Sequence, residues 1–577
     1  MRRWFLPLLL LALLTGCSAS AGLQPGRYTA VAAGYNGELE VALTVDQGAI
    51  LSVEILRSSE TPQVAGQALT DLAARIVETQ SIALDAVSGA TTTSASLLAA
   101  AEDCLRQAGD EASLAPFRQA PPPHETVAPV QTLSAQVIVV GSGGAGLSAA
   151  VSAAEEGASV IVIEKMPNIG GNTVRSIGMY NCVDPALQGP LGIRDSEEEF
   201  FRETWEGGHR EAKEDLVRVL TSQADEGKVW LESLGVTFDT VIDNCLGGKL
   251  ARGHYARSHT GTDYIQALQG ACTDRGVVIL TQVTARSLLV ENGRVVGVRA
   301  DRDGQELLLT AERGVVLATG GFGYNVEMRL TYNESLTADM LCSNSPGATG
   351  DGILMAQEVG ANLVNMQYIE TYPMGDVYDG GLRNSIPNSI NFGILVSQEG
   401  RRFVAEDSGR DQLSASMRAQ TGGFAYSVTD GDYLLTKQDK DYLEGLVSMG
   451  TVVKAESLSD LAQKLKLPPD ALAQTVADYN RGLAAGQDAF GRTTLYNAID
   501  TPPYYANPRK PTVHYTLGGV EIDAEARVLT PAGLPIPGLF AAGEVTGGVH
   551  GANRLGGNSF PDIIVFGRIA GRGAATK

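Results

Sequence analysis

The stretch that most restricts the fold is Gln136-Val-Ile-Val-Val140, followed at once by Gly141-Ser-Gly143-Gly-Ala-Gly146 and an alanine-rich run to residue 156. A short apolar run that ends in glycine reads as a buried strand, and the run after the glycines reads as a helix over 144–156. Ser159-Val-Ile-Val-Ile163 adds a second buried strand, so a βαβ unit of a parallel sheet is predicted. The GxGxxG spacing gives each glycine a task. Gly141 makes the tight turn, Gly143 lets backbone approach a pyrophosphate, and Gly146 permits close helix–strand packing. The helix N-terminus offers N–H groups and positive dipole to phosphates. Glu164, closing the second strand, is placed to accept from an adenosine ribose. A dinucleotide site is therefore expected.

At 577 residues the chain exceeds one core, and 44% hydrophobic content with 67 glycines marks a globular, turn-rich α/β protein. A net charge of −22 excludes a nucleic-acid partner as the main function, because phosphate binding needs a basic surface. In so acidic a chain, individual buried arginines become informative about an anionic substrate. Cys104, Cys182, Cys245, Cys272 and Cys342 are widely spaced and include no CxxC pair. That spacing speaks against haem attachment, an iron–sulfur or zinc cluster, and a disulfide framework. No metal site is expected.

Residues 1–20 read as a targeting segment. Arg2 and Arg3 precede an apolar run, Trp4 to Leu14, too short to cross a bilayer. Leu14-Thr-Gly-Cys17 resembles a bacterial lipobox, which implies an exported protein with Cys17 lipidated and tethered to the outer face of the cell membrane. Residues 24–107 alternate as strands and then as helices at about 66–79 and 93–107, a small α+β module. Five prolines over 108–134 suggest a semi-extended linker. The dinucleotide fold occupies 135–366, an inserted α+β capping domain 367–513, and the first fold resumes over 514–577.

The tail carries a second constellation: His514-Tyr-Thr-Leu-Gly-Gly, then Glu544-Val-Thr-Gly-Gly-Val-His-Gly-Ala-Asn-Arg554-Leu-Gly-Gly-Asn558-Ser559. Glycine lets backbone approach a flat ligand, and His514 with Arg554 can grip a carboxylate. With Lys165-Met-Pro-Asn-Ile-Gly-Gly171-Asn172-Thr173, Ala318-Thr-Gly320-Gly321 and Thr349-Gly-Asp351, this tail resembles the fumarate reductase and succinate dehydrogenase flavoprotein superfamily. The resemblance is closest to flavocytochrome-type fumarate reductases and urocanate reductases. It implies a Rossmann-like FAD-binding domain contacted by Gly141, Gly143, Gly146, Glu164, Lys165, Gly171, Asn172, Thr173, Gly320, Gly321, Asp351, Glu544, Asn558 and Ser559. No histidine lies between Lys165 and Cys182, so noncovalent FAD is expected. Asp85-Ala-Val-Ser-Gly-Ala-Thr91 resembles the flavinylation motif of FMN-binding domains, in which the threonine is linked to FMN by a flavin transferase. A plain helix N-cap is the other reading of those residues.

Within Gly400-Arg-Arg-Phe-Val-Ala-Glu406-Asp-Ser-Gly-Arg410, Arg410 matches the family's proton-delivering arginine, while His514 and Arg554 match its carboxylate-binding pair. The chain departs from fumarate reductases where they carry a histidine before proline: here the stretch is Ile369-Glu-Thr-Tyr372-Pro-Met374. A similar tyrosine occurs in urocanate reductases. Tyr372 supplies no cation for a second carboxylate, and a buried unpaired charge costs several kcal/mol. This favours urocanate or an aryl acrylate such as cinnamate over fumarate. The aspartate that urocanate reductases place downstream has no counterpart in 382–390, and neither does the fumarate reductases' glutamate; Arg383 is a partial substitute, with Glu406, Asp407 or Asp411 as candidates to feed Arg410.

The expectation is a flavoprotein reductase of the 2,3-double bond of an unsaturated acid, fed by a membrane-associated electron donor. The alternatives are a fumarate reductase, or a dehydrogenase or oxidase of succinate, amino acids or 3-oxosteroids on the same fold. An FMN electron-transfer lipoprotein is the alternative outside enzymes.

Overall fold

The computed structural model describes residues 22–35, 37–60, 66–87, 90–121, 130–245, 248–382, 385–386, 393–431, 440–493 and 497–576. Cys17 with the rest of the expected leader, Ser88, Gly89 and Arg383 lie outside them. The chain divides into two compact units, Met1–Thr126 and Val127–Lys577.

In the first unit, strands Gly26–Ala33, Glu38–Asp46 and Ala49–Ser58 form an antiparallel meander. Helices Gln67–Thr79 and Thr91–Ala108 pack on it, burying Leu39, Val41, Leu43, Leu72, Ile76, Leu97 and Leu105. The linker expected over 108–134 is shorter than its prolines suggest. Residues Glu111–Leu114 and Ala115–Arg118 form two short helical turns that insert Leu114 and Phe117 into this core. The Ile82 N–H donates to Phe117 O at 2.7 Å, which ties the turns down. Two apolar side chains with a core to fill override the extended preference of the surrounding prolines.

In the second unit, strand Gln131–Val140 starts earlier than expected and forms the centre of an eight-stranded sheet. Val160–Ile163 and Val278–Leu280 extend the sheet in parallel on one side, and Gln305–Leu317 and Pro535–Ala541 on the other. Gln305–Leu317 is one long strand with an irregularity between Ala311 and Gly314. Helix Gly144–Glu155 packs against the C-terminal helix Ser559–Thr576. Their contact is close enough that a Cβ on Gly571 would lie 2.1 Å from the Ala149 carbonyl oxygen.

The inserted segment builds a separate, antiparallel five-stranded sheet from Ile369–Asp376, Ile394–Val396, Ala425–Thr429, Val453–Ala455 and Tyr504–Thr516. The last strand has 13 residues and runs unbroken through the boundary expected at 513/514. It therefore belongs to the cap sheet at its start and delivers His514 to the nucleotide fold at its end. The architecture is α/β, a Rossmann-like fold with an inserted cap, preceded by an α+β module.

Candidate active site

The glycines after Val140 take the parts their spacing requires. Gly141 has φ of 105°, and a Cβ there would meet Ala318 O at 2.3 Å; one on Gly146 would meet Gly141 O at 1.9 Å. Gly143 differs, because the nearest atoms to its hypothetical Cβ are 4.0 Å away. It borders open cleft rather than neighbouring chain, as close approach of a pyrophosphate demands. The first helical hydrogen bond runs from Leu147 N–H to Gly143 O, so the preceding N–H groups have no partner within the helix.

The cleft beside this turn has a volume of about 1280 Å³ counted out to its mouth, and its lining runs from Glu164, Lys165 and Asp351 to His514 and Arg554. Glu164 accepts from Ser142 N–H at 3.0 Å and Met166 N–H at 2.8 Å, which fixes its carboxylate at the rim. Lys165 Nζ donates to Asp351 Oδ2 at 2.7 Å. Asn172 donates to Glu544 Oε2 at 2.9 Å and accepts from Ser345 N–H at 2.7 Å. Gly171, Thr173, Gly320 and Ser559 also line the cleft. Three polar atoms of its lining residues, Thr319 Oγ1, Asn344 Oδ1 and Arg554 Nε, are buried without a partner among the described residues. An elongated ligand with many donors and acceptors, such as FAD, fits this lining.

Asn558 and Gly321 sit elsewhere. The Asn558 amide is fully buried, accepting from Asn181 at 2.7 Å and donating to Thr204 at 3.1 Å. It braces the glycine turn before the last helix instead of facing the cleft. Gly321 packs under Thr516 and Glu544, where a Cβ would stand 1.9 Å from Thr516 Oγ1. Glu544 is itself buried, which pushes its carboxyl up, and it accepts from Thr516 N–H at 3.0 Å.

Three side chains expected to act on substrate converge from distant parts of the sequence. Arg410 opens helix Arg410–Arg418, His514 ends the long cap strand, and Arg554 lies in the glycine-rich tail. They meet around a residue to which the sequence assigned no role, Glu370. Its Oε1 accepts from Arg410 Nη1 at 2.5 Å and from Arg554 Nη2 at 3.1 Å. The Arg410 guanidinium lies 4.9 Å from the Tyr372 ring centroid, and Tyr372 and His514 have ring centroids 5.2 Å apart. Arg554 stands over Tyr515 at 4.5 Å. Burial alone would raise the Glu370 carboxyl, yet Arg554 and then Arg410 hold it down at about 2. Burial pushes the His514 imidazole down to about 3, against the pull of Glu370, so it is neutral near neutral pH. His514 Nδ1 pairs with Ser343 Oγ at 2.8 Å, and the same hydroxyl reaches Val513 O at 3.3 Å. The single hydroxyl proton sets the tautomer: given to Nδ1 it leaves Nε2–H as a donor for a ligand, and given to Val513 O it leaves Nε2 as an acceptor.

The acids expected to feed Arg410 are occupied elsewhere. Glu406 is fully buried between Arg402 and Arg492, with Arg402 Nη2 at 2.6 Å. Asp407 accepts from Thr493 N–H at 2.7 Å and its hydroxyl at 2.8 Å. Asp411 is the second residue of the Arg410 helix and makes no pair with Arg410, whose carboxylate partner is Glu370. Glu370 stands two residues before Tyr372 on one strand, so both side chains project from the same face. That period-two relation was the available signal for it.

In the first unit, Thr91 is exposed and is the first residue of its helix. The N-cap is Ala90, which has no side-chain acceptor, so Thr91 does not work as an ordinary Ser/Thr cap.

The geometry agrees with comparisons to known proteins. The model of the FAD binding domain matches residues 136–560, and that of the FMN-binding domain matches 34–106. The chain is 34% identical to a urocanate reductase of Eggerthella lenta, over 97% of this chain and 93% of that one. It is also 34% identical to an NADH:acrylate oxidoreductase of Vibrio harveyi, covering 95% of this chain but only 61% of the relative's length. A cytochrome fumarate reductase of Shewanella frigidimarina is 38% identical over 78% of each chain. Among solved structures, the open conformation of a flavocytochrome c3 fumarate reductase has a TM-score of 0.66 at 36% identity, covering 77% of this chain and 78% of its own. A fold that cradles a dinucleotide, two flavin-domain matches and these relatives agree: the chain belongs to the FAD-dependent fumarate reductase flavoprotein family and carries an FMN-binding domain ahead of its FAD-binding domain.

Proposed function

We propose that this oxidoreductase reduces the 2,3-double bond of an α,β-unsaturated monocarboxylate, with urocanate or an aryl acrylate such as cinnamate ahead of fumarate. The observation that carries this reading is the convergence of Arg410, His514 and Arg554 on one buried cluster whose His514 and Arg554 line the nucleotide cleft. FAD, when bound, supplies the hydride at its N5. Arg554 and the neutral His514 hold the substrate carboxylate and stabilise the enolate-like charge that develops on it. Arg410 passes a proton to the other alkene carbon. A guanidinium is a poor acid in water, but a relay held at a stated position in a closed pocket needs only transient proton loss. Cap strand Ile369–Asp376 and helix Arg410–Arg418 cover the cluster and exclude water.

A neutral steroid suits this cavity poorly. A 3-ketosteroid-Δ4-(5α)-dehydrogenase from Rhodococcus jostii shares the fold with a TM-score of 0.61 at 27% identity. Here, however, buried Arg554 and half-buried Arg410 share one carboxylate partner, Glu370, and a ligand without charge would leave them under-compensated. A pure electron carrier would not need a carboxylate grip at all. Electrons are proposed to reach FAD from FMN held at Thr91.

The test is to reduce the FAD-loaded protein with dithionite or viologen and add fumarate, urocanate, cinnamate or caffeate in turn. Rapid flavin reoxidation by the aryl acids or urocanate is expected, and none by any of the four sinks the reading. Arg410→Ala should cost at least ~10³-fold in turnover while FAD content is unchanged; a variant that keeps its activity removes Arg410 from the proton path.

A further inference from the structure

Glu370 is a carboxylate placed where a carboxylate substrate should go, which at first sight is self-defeating. Its Oε1 takes one hydrogen bond from each guanidinium. Its Oε2 is buried with no partner, as are Arg410 Nε and Arg554 Nε. The cluster therefore keeps unspent hydrogen-bonding capacity on both the acid and the bases. The charge count explains the arrangement. Among the described residues of the cluster, Arg410 and Arg554 contribute two positive charges, Glu370 removes one, and His514 adds none. The nearby Glu544 is turned to Asn172 and Thr516 and makes no ion pair with Arg554; burial pushes its carboxyl up, toward the neutral form, against the pull of that guanidinium, and burial pushes the Cys245 thiol up to about 11, so the thiol adds no charge.

We propose that Glu370 is the specificity-determining residue of this site: it leaves one net positive charge in the cluster, enough for a single substrate carboxylate, and repels a second. This rests on reading the cluster as a carboxylate site, and it stands on an observation separate from Tyr372. Tyr372 only fails to supply a cation for a second carboxylate, whereas Glu370 removes one already present. A dicarboxylate entering here would bring a second negative charge beside the unpartnered Oε2, and like charges that close together oppose binding. A monocarboxylate with a neutral or aromatic far end meets no such opposition, and the Tyr372 ring lies against the same guanidinium.

The experiment uses the oxidised holoenzyme and saturated acids, which it cannot reduce, read through the shift of the flavin band on binding and scored apart from any bleaching that would mark oxidation of the acid. Butyrate and succinate form one pair, and 3-phenylpropionate and 3-(4-carboxyphenyl)propionate a second. Wild type is expected to prefer the mono-anion of each pair. Glu370→Gln, similar in shape and still able to accept from a guanidinium, is expected to shift that preference toward the di-anion by at least about tenfold. An unchanged preference in FAD-loaded Glu370→Gln overturns the proposal. Wild type is a second check that needs no variant to fold: tighter binding of succinate than of butyrate also overturns it. Because binding and not turnover is read, a protein that reduces no unsaturated acid would refute the proposed reaction while leaving charge selection separately measurable.

Discussion

At the scale of single residues, burial decides what each group of the cluster can do. His514 looks in the sequence like a cationic half of an anion grip, yet its imidazole is held down at about 3. Its folded pKa lies below the ordinary 6.5, so the folded protein binds fewer protons there than the unfolded chain. Its contribution to stability is thus complete above that ordinary value and is lost as pH falls from there toward about 3. Glu370 is also depressed, so its contribution is present above 4.5 and is lost only as pH falls toward about 2. Acidification should lower the denaturation midpoint first through His514 and later through Glu370. His514→Gln should flatten the slope in the His514 window when midpoints are compared across pH, and an equally steep slope in that variant would contradict the neutral imidazole. Arg410 and Arg554 were legible in the sequence through motifs that resemble the family's, since an arginine taken alone reads as a solvated surface side chain. Glu370 was not, because a glutamate in an alternating strand reads as surface until its strand is seen to pack under two guanidiniums.

At the scale of elements, strands and helices followed their periodicity, and the surprises lie where elements meet. The nucleotide helix and C-terminal helix approach closely because Gly567 and Gly571 face Ala145 and Ala149. Gly571→Ala would set a methyl 2.1 Å from a backbone oxygen, which cannot rotate away. The helices must separate, at a cost of about 1–3 kcal/mol. That loss should appear as a lower midpoint in urea, with weaker FAD retention because Ala145 and Ile563 line the cleft between these helices. Tyr504–Thr516 teaches a similar lesson. Its sequence shows a return from the insert to the first fold, but not that one strand does both jobs, since strand continuity depends on partners such as Ile369–Asp376 and Ala425–Thr429.

At the scale of the whole molecule, two flavin modules occupy one chain. FMN is expected on the Thr91 hydroxyl, exposed at the start of its helix. Thr91→Ala, co-produced with a flavin transferase, should lack the mass of bound FMN in intact-protein mass spectrometry. It should keep FAD and still oxidise directly reduced FAD with substrate. Retained FMN mass would place the attachment elsewhere. Among the described residues no helix is long and apolar enough to cross a membrane.

The sequence by itself determined the parts whose cause is local: the glycine turn before the nucleotide helix, the alternating strands of both modules, and the identities of the arginines and His514. The turn and the strands follow from backbone freedom and side-chain periodicity, and the arginines and His514 were picked out by motifs that resemble the family's. Only the tertiary structure decided the charge of the site. That quantity is a sum over Glu370, Arg410, His514 and Arg554, groups brought together from four places in the chain, and the ionisation of Glu370 and His514 depends on burial and neighbours that neither carries alone.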